Sequence, residues 1–178
     1  MNKLKVLITR EEIERKVAAL ADELRRDYGD KHPILIGALK GSFVFMSDLI
    51  RKLNIPLEID FIRLASYGAG KETSGKIKQI HGAKTPIRGK LRDRHVLVIE
   101  DIVDTGLTVR FLLDYLGRRK PASLKLCTLF DKPSRRETEV PIDYVGFTVP
   151  DAFVVGYGLD FDEKFRYLPD LCVLEDQE

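Results

Sequence analysis

Apolar and polar positions along the chain switch repeatedly between the spacing of a helix and that of a strand. Thr9 and Glu12 make a capping box, after which Ile13, Val17, Leu20, Ala21 and Leu24 recur at helical intervals until Gly29. Ile34 to Leu39 is an unbroken apolar run, the pattern of a strand covered on both faces, and Lys40-Gly41-Ser42 then reads as a tight turn. Met46, Leu49, Ile50 and Leu53 predict a second amphipathic helix, which Pro56 ends, and Leu57 to Leu64 alternates as a strand. Further strands are predicted at Val96–Ile99, Leu124–Leu129, Tyr144–Thr148, Phe153–Tyr157 and Leu171–Leu174. Val109, Leu112, Leu113 and Leu116 mark a third helix.

Strands alternating with helices predict an α/β fold with a mainly parallel, doubly wound sheet and helices on both faces. Strands without long helices crowd the chain after residue 140, which predicts a small subregion near the C-terminus. The glycine-rich, charged stretch from Tyr67 to Arg94 fits neither pattern. A segment this long in a compact domain reads as a lid, with a hairpin at Lys76–Ile80 and a mobile section at Gly68–Gly75.

Length and composition narrow the picture. A chain of 178 residues is long enough for one domain that buries about 70% of its unfolded surface. A net charge of +2 is too mild to argue for nucleic-acid binding. Cys127 and Cys172 each sit in an apolar run, as small core residues of a reducing compartment do. The first nine residues carry too short an apolar run for a signal peptide, and no stretch approaches membrane-span length. A cytoplasmic protein is expected. Arg118-Arg-Lys120 reads as a helix C-terminus and Arg135-Arg136 as solvated surface, while His32, His81 and His95 are too scattered for a zinc site.

The chemistry concentrates between His95 and Val109. A buried strand leads into Glu100 and Asp101 where it should end; Asp104 then opens the turn Asp104-Thr-Gly-Leu-Thr108, and a helix follows. Amides at a helix start hold phosphate, and adjacent carboxylates hold a hard cation or sugar hydroxyls. Asp104-Thr-Gly106 also matches the aspartic-protease triplet, but that chemistry needs a second triplet or a symmetric dimer on an all-β scaffold. Two acids capping a strand end in water is the plain structural reading. The crevice beyond the carboxyl ends of parallel strands, however, is where such sheets bind ligands.

Val98-Ile-Glu-Asp-Ile-Val-Asp-Thr-Gly-Leu-Thr108 resembles the phosphoribosyl-pyrophosphate motif of type I phosphoribosyltransferases. From about Ile34 to Leu174 the chain resembles their hypoxanthine-guanine branch. That resemblance rests on Leu39-Lys-Gly41, Ser66-Tyr67, the acidic motif, Asp131-Lys-Pro-Ser-Arg-Arg136, Val145-Gly-Phe-Thr-Val-Pro-Asp151 and Phe153-Val-Val-Gly-Tyr-Gly-Leu-Asp160 with Arg166. It implies one phosphoribosyltransferase domain over residues 1–178, a flexible lid around 67–90 and a small hood around 150–178. It also implies purine salvage, in which phosphoribosyl pyrophosphate and a 6-oxopurine give IMP or GMP plus pyrophosphate, with Mg²⁺ as cofactor. A homodimer or homotetramer follows from the same resemblance, with no nucleic-acid or membrane partner.

Carried over residue by residue, the resemblance gives each matched position a task. Asp104, Thr105, Gly106, Leu107 and Thr108 cradle the 5′-phosphate. Glu100 and Asp101 hold the ribose hydroxyls directly or through the metal, and Asp160 is a second metal carboxylate reached through water. Lys40, the Gly41 amide and Arg166 neutralise the leaving pyrophosphate, with a cis peptide implied before Lys40. Ser66 and Tyr67 open the lid. Asp104 is the general base for the purine's imidazole ring, against the alternative that it only orders the loop. Lys132 donates to the 6-oxo group, Phe153 stacks on the base and Val154 reads its edge by main-chain atoms. A nucleotide-binding regulator of RNA is the rival reading, opposed by the weak basic surface and the acid at position 104.

Overall fold

The computed structural model describes residues 3–66, 77–81 and 91–175. Five parallel strands form the centre of one sheet: β2 (Ile34–Leu39), β3 (Glu58–Ser66), β5 (His95–Val103), β6 (Ser123–Asp131) and β7 (Tyr144–Thr148). A sixth strand, β4 (Ile77–His81), pairs antiparallel with β3 at one edge, and the order across the sheet is β4-β3-β2-β5-β6-β7. Helices α1 (Arg10–Tyr28) and α2 (Phe43–Leu53) cover one face and α3 (Leu107–Gly117) the other.

The central strands distribute their side chains between two cores because successive residues point to opposite faces. Leu35, Leu97, Ile99, Cys127 and Leu129 join Ile13, Val17, Leu20 and Leu24 of α1 and Phe45, Met46 and Leu49 of α2. Ile34, Ile36, Ala38, Val96, Val98 and Leu126 pack instead with Val109, Leu112 and Leu116 of α3. This two-sided burial is what an unbroken apolar run requires. The capping box that starts α1 is formed: Thr9 Oγ1 accepts from the Glu12 amide at 3.3 Å, and the Thr9 amide donates to Glu12 Oε2 at 2.8 Å.

Three expectations are corrected. β5 does not stop at Ile99; it stays paired with β6 through Val103↔Asp131, so Glu100 and Asp101 lie within the strand. Parallel pairing to a neighbouring strand carries β5 past the point where the apolar run ends. The strand expected at Phe153–Tyr157 is only β8 (Val154–Val155), because Gly156 and Tyr157 turn with positive φ. The hood is also not purely C-terminal. β1 (Lys3–Ile8) pairs antiparallel with β9 (Leu171–Glu175), giving a second sheet in the order β1-β9-β8. Lys3 to Leu7 are exposed, so β1 carries no one-sided apolar signature and forms because a partner over 160 residues away meets it. Val154, Tyr157, Leu159 and Leu171 of the hood belong to the same core as α1 and α2. Tyr67 and most of the lid expected at 67–90 lie outside the described residues.

Candidate active site

The site lies over the carboxyl ends of β2, β5 and β6. The Leu39–Lys40 peptide at the end of β2 is cis. Gly41, one residue on, packs directly against the end of β5: a Cβ there would lie 2.5 Å from Asp101 Cγ and overlap Oδ2. The Lys40 ammonium reaches across to Glu163 Oε1 at 2.6 Å. Gly158 (φ +100°) lies so close to the Gly41 carbonyl that a side chain would collide with it. The Lys40-Gly41 turn is thus held between Asp101 on one side and the hood on the other.

Glu100 and Asp101 are a coupled pair. Burial first, and then the charge of Asp101, hold the Glu100 carboxyl well above its usual range. Burial pushes Asp101 up to about 6, while neighbouring backbone amides, Glu100 and the positive charge of Arg166 restrain the rise. Removal from water penalises an anion, and a second carboxylate nearby adds to that penalty.

The mononucleotide loop follows β5. Gly106 (φ +84°) is the N-cap residue of α3, and Leu107 N donates to Thr105 Oγ1 at 3.4 Å. The first turn of α3 contains no acidic side chain, and its amides have no partner within the helix, so the end is free for an anion. Beside it opens a cavity of about 430 Å³ lined by Asp104, Lys132, Phe153, Val154 and Asp160, among others. Lys132 is buried, and its ammonium donates to the Ala152 carbonyl at 2.8 Å. Phe153 is 53% exposed on the cavity, its ring edge-on to Phe161 at 5.4 Å between centroids. Asp104 Oδ1 is shielded from solvent and has no hydrogen-bond partner; Arg135 Nε is 3.4 Å away without hydrogen-bond alignment.

Of the expected site residues, Asp104, Lys132, Phe153, Val154 and Asp160 line one cavity, Gly41 packs on Asp101, Arg166 pairs with Asp160, and Leu107 and Thr108 start α3 beside Gly106. Ser66 is the last residue of β3; Tyr67 falls outside the described residues. Asp160 stands apart from the Glu100–Asp101 pair. Its Oδ1 pairs with Arg166 Nη2 at 2.6 Å, and its Oδ2 accepts from the Glu163 amide at 2.9 Å. Among the described residues no group of three or more His, Cys, Asp or Glu converges on a metal position. Two adjacent hard-oxygen donors remain, the donor set that Mg²⁺ uses when substrate oxygens and water complete its shell.

Sequence reasoning missed several participants. Glu163 lies on a turn with positive φ from Asp162 to Glu163, and nothing in its sequence neighbourhood announces a contact with Lys40. Arg135 is exposed, as expected of solvated surface, but Arg136 is not. The Arg136 side chain is 12% exposed and ion-paired with Asp131, because the chain folds back over the start of α3. The place of Arg136 in Asp131-Lys-Pro-Ser-Arg-Arg136 was the available signal.

A carboxylate pair near the carboxyl end of β5, a Thr-Gly turn at a helix start and a cavity beside them are the arrangement of a nucleotide-handling transferase. The chain belongs to the phosphoribosyl transferase domain family, whose profile matches residues 7–162. Within that family its relatives place it in the hypoxanthine-guanine phosphoribosyltransferase group. It is 48% identical over 171 residues to the hypoxanthine-guanine phosphoribosyltransferase of Bacillus subtilis, covering 96% of this chain and 93% of that protein. It is 44% identical to the hypoxanthine phosphoribosyltransferase of Salmonella typhimurium, over 93% of this chain and 92% of that one. A Bacillus anthracis hypoxanthine-guanine phosphoribosyltransferase crystal structure superposes with a TM-score of 0.86 at 43% identity, covering 98% of this chain and 100% of that chain.

Proposed function

We propose that the protein transfers the 5-phosphoribosyl group of phosphoribosyl pyrophosphate to hypoxanthine or guanine, releasing pyrophosphate and IMP or GMP. The observation that carries this is the cavity uniting Asp104, Lys132, Phe153 and Asp160 beside the Asp104–Thr108 loop. It offers a donor for an oxo group, a ring face for stacking and an open carboxylate acceptor, all next to a phosphate cradle.

Bound Mg²⁺ supplies positive charge that screens the pyrophosphate and orders the ribose hydroxyls. The chain's own groups do the rest. Glu100 and Asp101 would hold the cation and the 2′- and 3′-hydroxyls. The amides of Thr105 to Thr108 bind the 5′-phosphate at the positive end of α3. Lys40, the Gly41 amide and Arg166 take up charge on the departing pyrophosphate, so Lys40 must leave Glu163 to reach it. Asp160 holds Arg166 in place and would add a second carboxylate toward the metal. Lys132 donates to the 6-oxo oxygen; an ammonium cannot accept from a 6-amino group, so adenine is excluded. Phe153 stacks on the base and Val154 main-chain atoms read its edge. As the imidazole nitrogen attacks C1′, the C–O bond to pyrophosphate breaks and the proton on the ring's other nitrogen passes to Asp104.

No helix is long and apolar enough to cross a membrane among the described residues. A cytoplasmic homodimer or homotetramer completes the reading. Incorporation assays with hypoxanthine, guanine, xanthine and adenine test it. Turnover of the 6-oxopurines with adenine inert is expected; adenine as best substrate refutes the role of Lys132, and no turnover of any base refutes the activity.

A further inference from the structure

We propose that Arg136 is a positioning residue for transfer, fixing the peptide planes of the phosphate loop through their carbonyl oxygens; this rests on the reading of Asp104 to Thr108 given above. Arg136 Nε donates to Asp104 O at 3.0 Å and Nη2 to Val103 O at 3.4 Å, while Nη2 also pairs with Asp131. Val103 O accepts from the Lys132 amide at 2.9 Å as well. Thr105 O accepts from the Glu137 and Thr138 amides at 2.9 and 3.1 Å. Three successive carbonyls, those of Val103, Asp104 and Thr105, therefore turn toward one strut made by residues 132–138.

In a trans peptide the carbonyl and the following N–H point in opposite directions. Anchoring those three carbonyls aims the amides of Asp104, Thr105 and Gly106 the other way, as a row of donors that makes an anion-binding concavity. Gly106 allows the strut to come this close: a Cβ there would lie 2.9 Å from Arg136 Cδ and collide with Thr138 O. Among the described residues, Arg136 is the side chain of this strut that holds the loop's carbonyls; Arg135 meets the loop only at the Asp104 carboxylate, at 3.4 Å. The Arg136 guanidinium alone spans two carbonyls and a carboxylate, which a planar fork can do and an ammonium cannot. Lys132 begins the same strut, so the group that reads the base and the group that aims the phosphate amides share one rigid segment.

The test separates positioning from simple stapling of the fold. Arg136→Lys keeps the charge opposite Asp131 but loses the fork. It should retain the wild-type thermal midpoint within a few degrees while GMP affinity falls about 10–100-fold and kcat/KM for phosphoribosyl pyrophosphate falls about 10²-fold. Asp131→Asn/Arg136→Gln removes both buried charges, so it should recover the stability that Arg136→Gln alone loses and recover none of the activity. Wild-type GMP affinity and kcat/KM in Arg136→Lys overturn the proposal, as does a double variant that regains activity together with stability. GMP affinity is read without turnover. A wild-type protein that binds GMP but transfers nothing defeats the proposed activity, and Arg136 is then judged on GMP affinity alone.

Discussion

Replacing Gly41 with alanine is the sharpest single perturbation of this site. The new methyl group would lie 2.5 Å from Asp101 Cγ, against 3.4–4 Å for ordinary contact, so the carboxylate must retreat by about 1 Å or more. Neighbouring backbone cannot absorb that movement cheaply: Gly41 is held on its other side by Gly158, and Asp101 sits within a strand paired to β6. Overpacking of this kind costs about 1–3 kcal/mol, which lowers the thermal midpoint of a chain this size by several degrees. Displacing a ligand-holding carboxylate by about 1 Å costs roughly 10²-fold in catalytic efficiency. Gly41→Ala should therefore remain folded at 25 °C yet show kcat/KM for phosphoribosyl pyrophosphate reduced roughly 10²-fold. Steady-state kinetics with guanine, beside a thermal melt of the same sample, reads both quantities. Activity within about threefold of wild type would mean that the Asp101 position is not critical to transfer.

Further outcomes follow from the same geometry. Asp104→Asn should lose about 10²–10⁴ in kcat, because the amide cannot take the proton, while GMP binding measured by calorimetry stays near wild type. Lys132→Ala removes a buried charged donor and should lower kcat/KM for hypoxanthine by about 10–100-fold in the incorporation assay, with less effect on binding of pyrophosphate. Asp101 predicts a pH dependence of the metal-free protein. A carboxyl whose pKa is higher folded than unfolded binds its proton more tightly when folded, so its stabilising share is full below the ordinary carboxylate range and disappears as pH rises through about 6. The stability difference between wild type and Asp101→Asn, from denaturant melts without Mg²⁺, should thus shift against wild type between about pH 4 and 6 and level off above. A flat difference would show that the proton is not held there.

Much of this molecule is legible in one dimension. The capping box at Thr9 and Glu12 acts between residues three apart, so sequence alone positions the start of α1. The apolar runs at Ile34–Leu39 and Val96–Ile99 specify strands buried on both faces, because only a sheet with helices on either side can cover both sets of side chains. The order strand, acids, Thr-Gly turn, helix likewise sets out a phosphate site, since α3 begins where the turn ends.

What the sequence left open depends on partners distant along the chain. β1 is invisible as a strand because its exposed residues carry no burial pattern; β9 supplies its hydrogen bonds. Glu100 looks like a solvated acid at a strand tip, but β6 extends beside it and the surrounding core strips its water, raising its pKa. Arg136 looks like surface until the strut folds over Gly106 and turns its guanidinium onto the loop. Local spacing determined which residue types were available for phosphate, sugar and base. Tertiary structure alone decided which of them lost water and which touched, because burial and long-range contact are properties of the packed chain rather than of any segment.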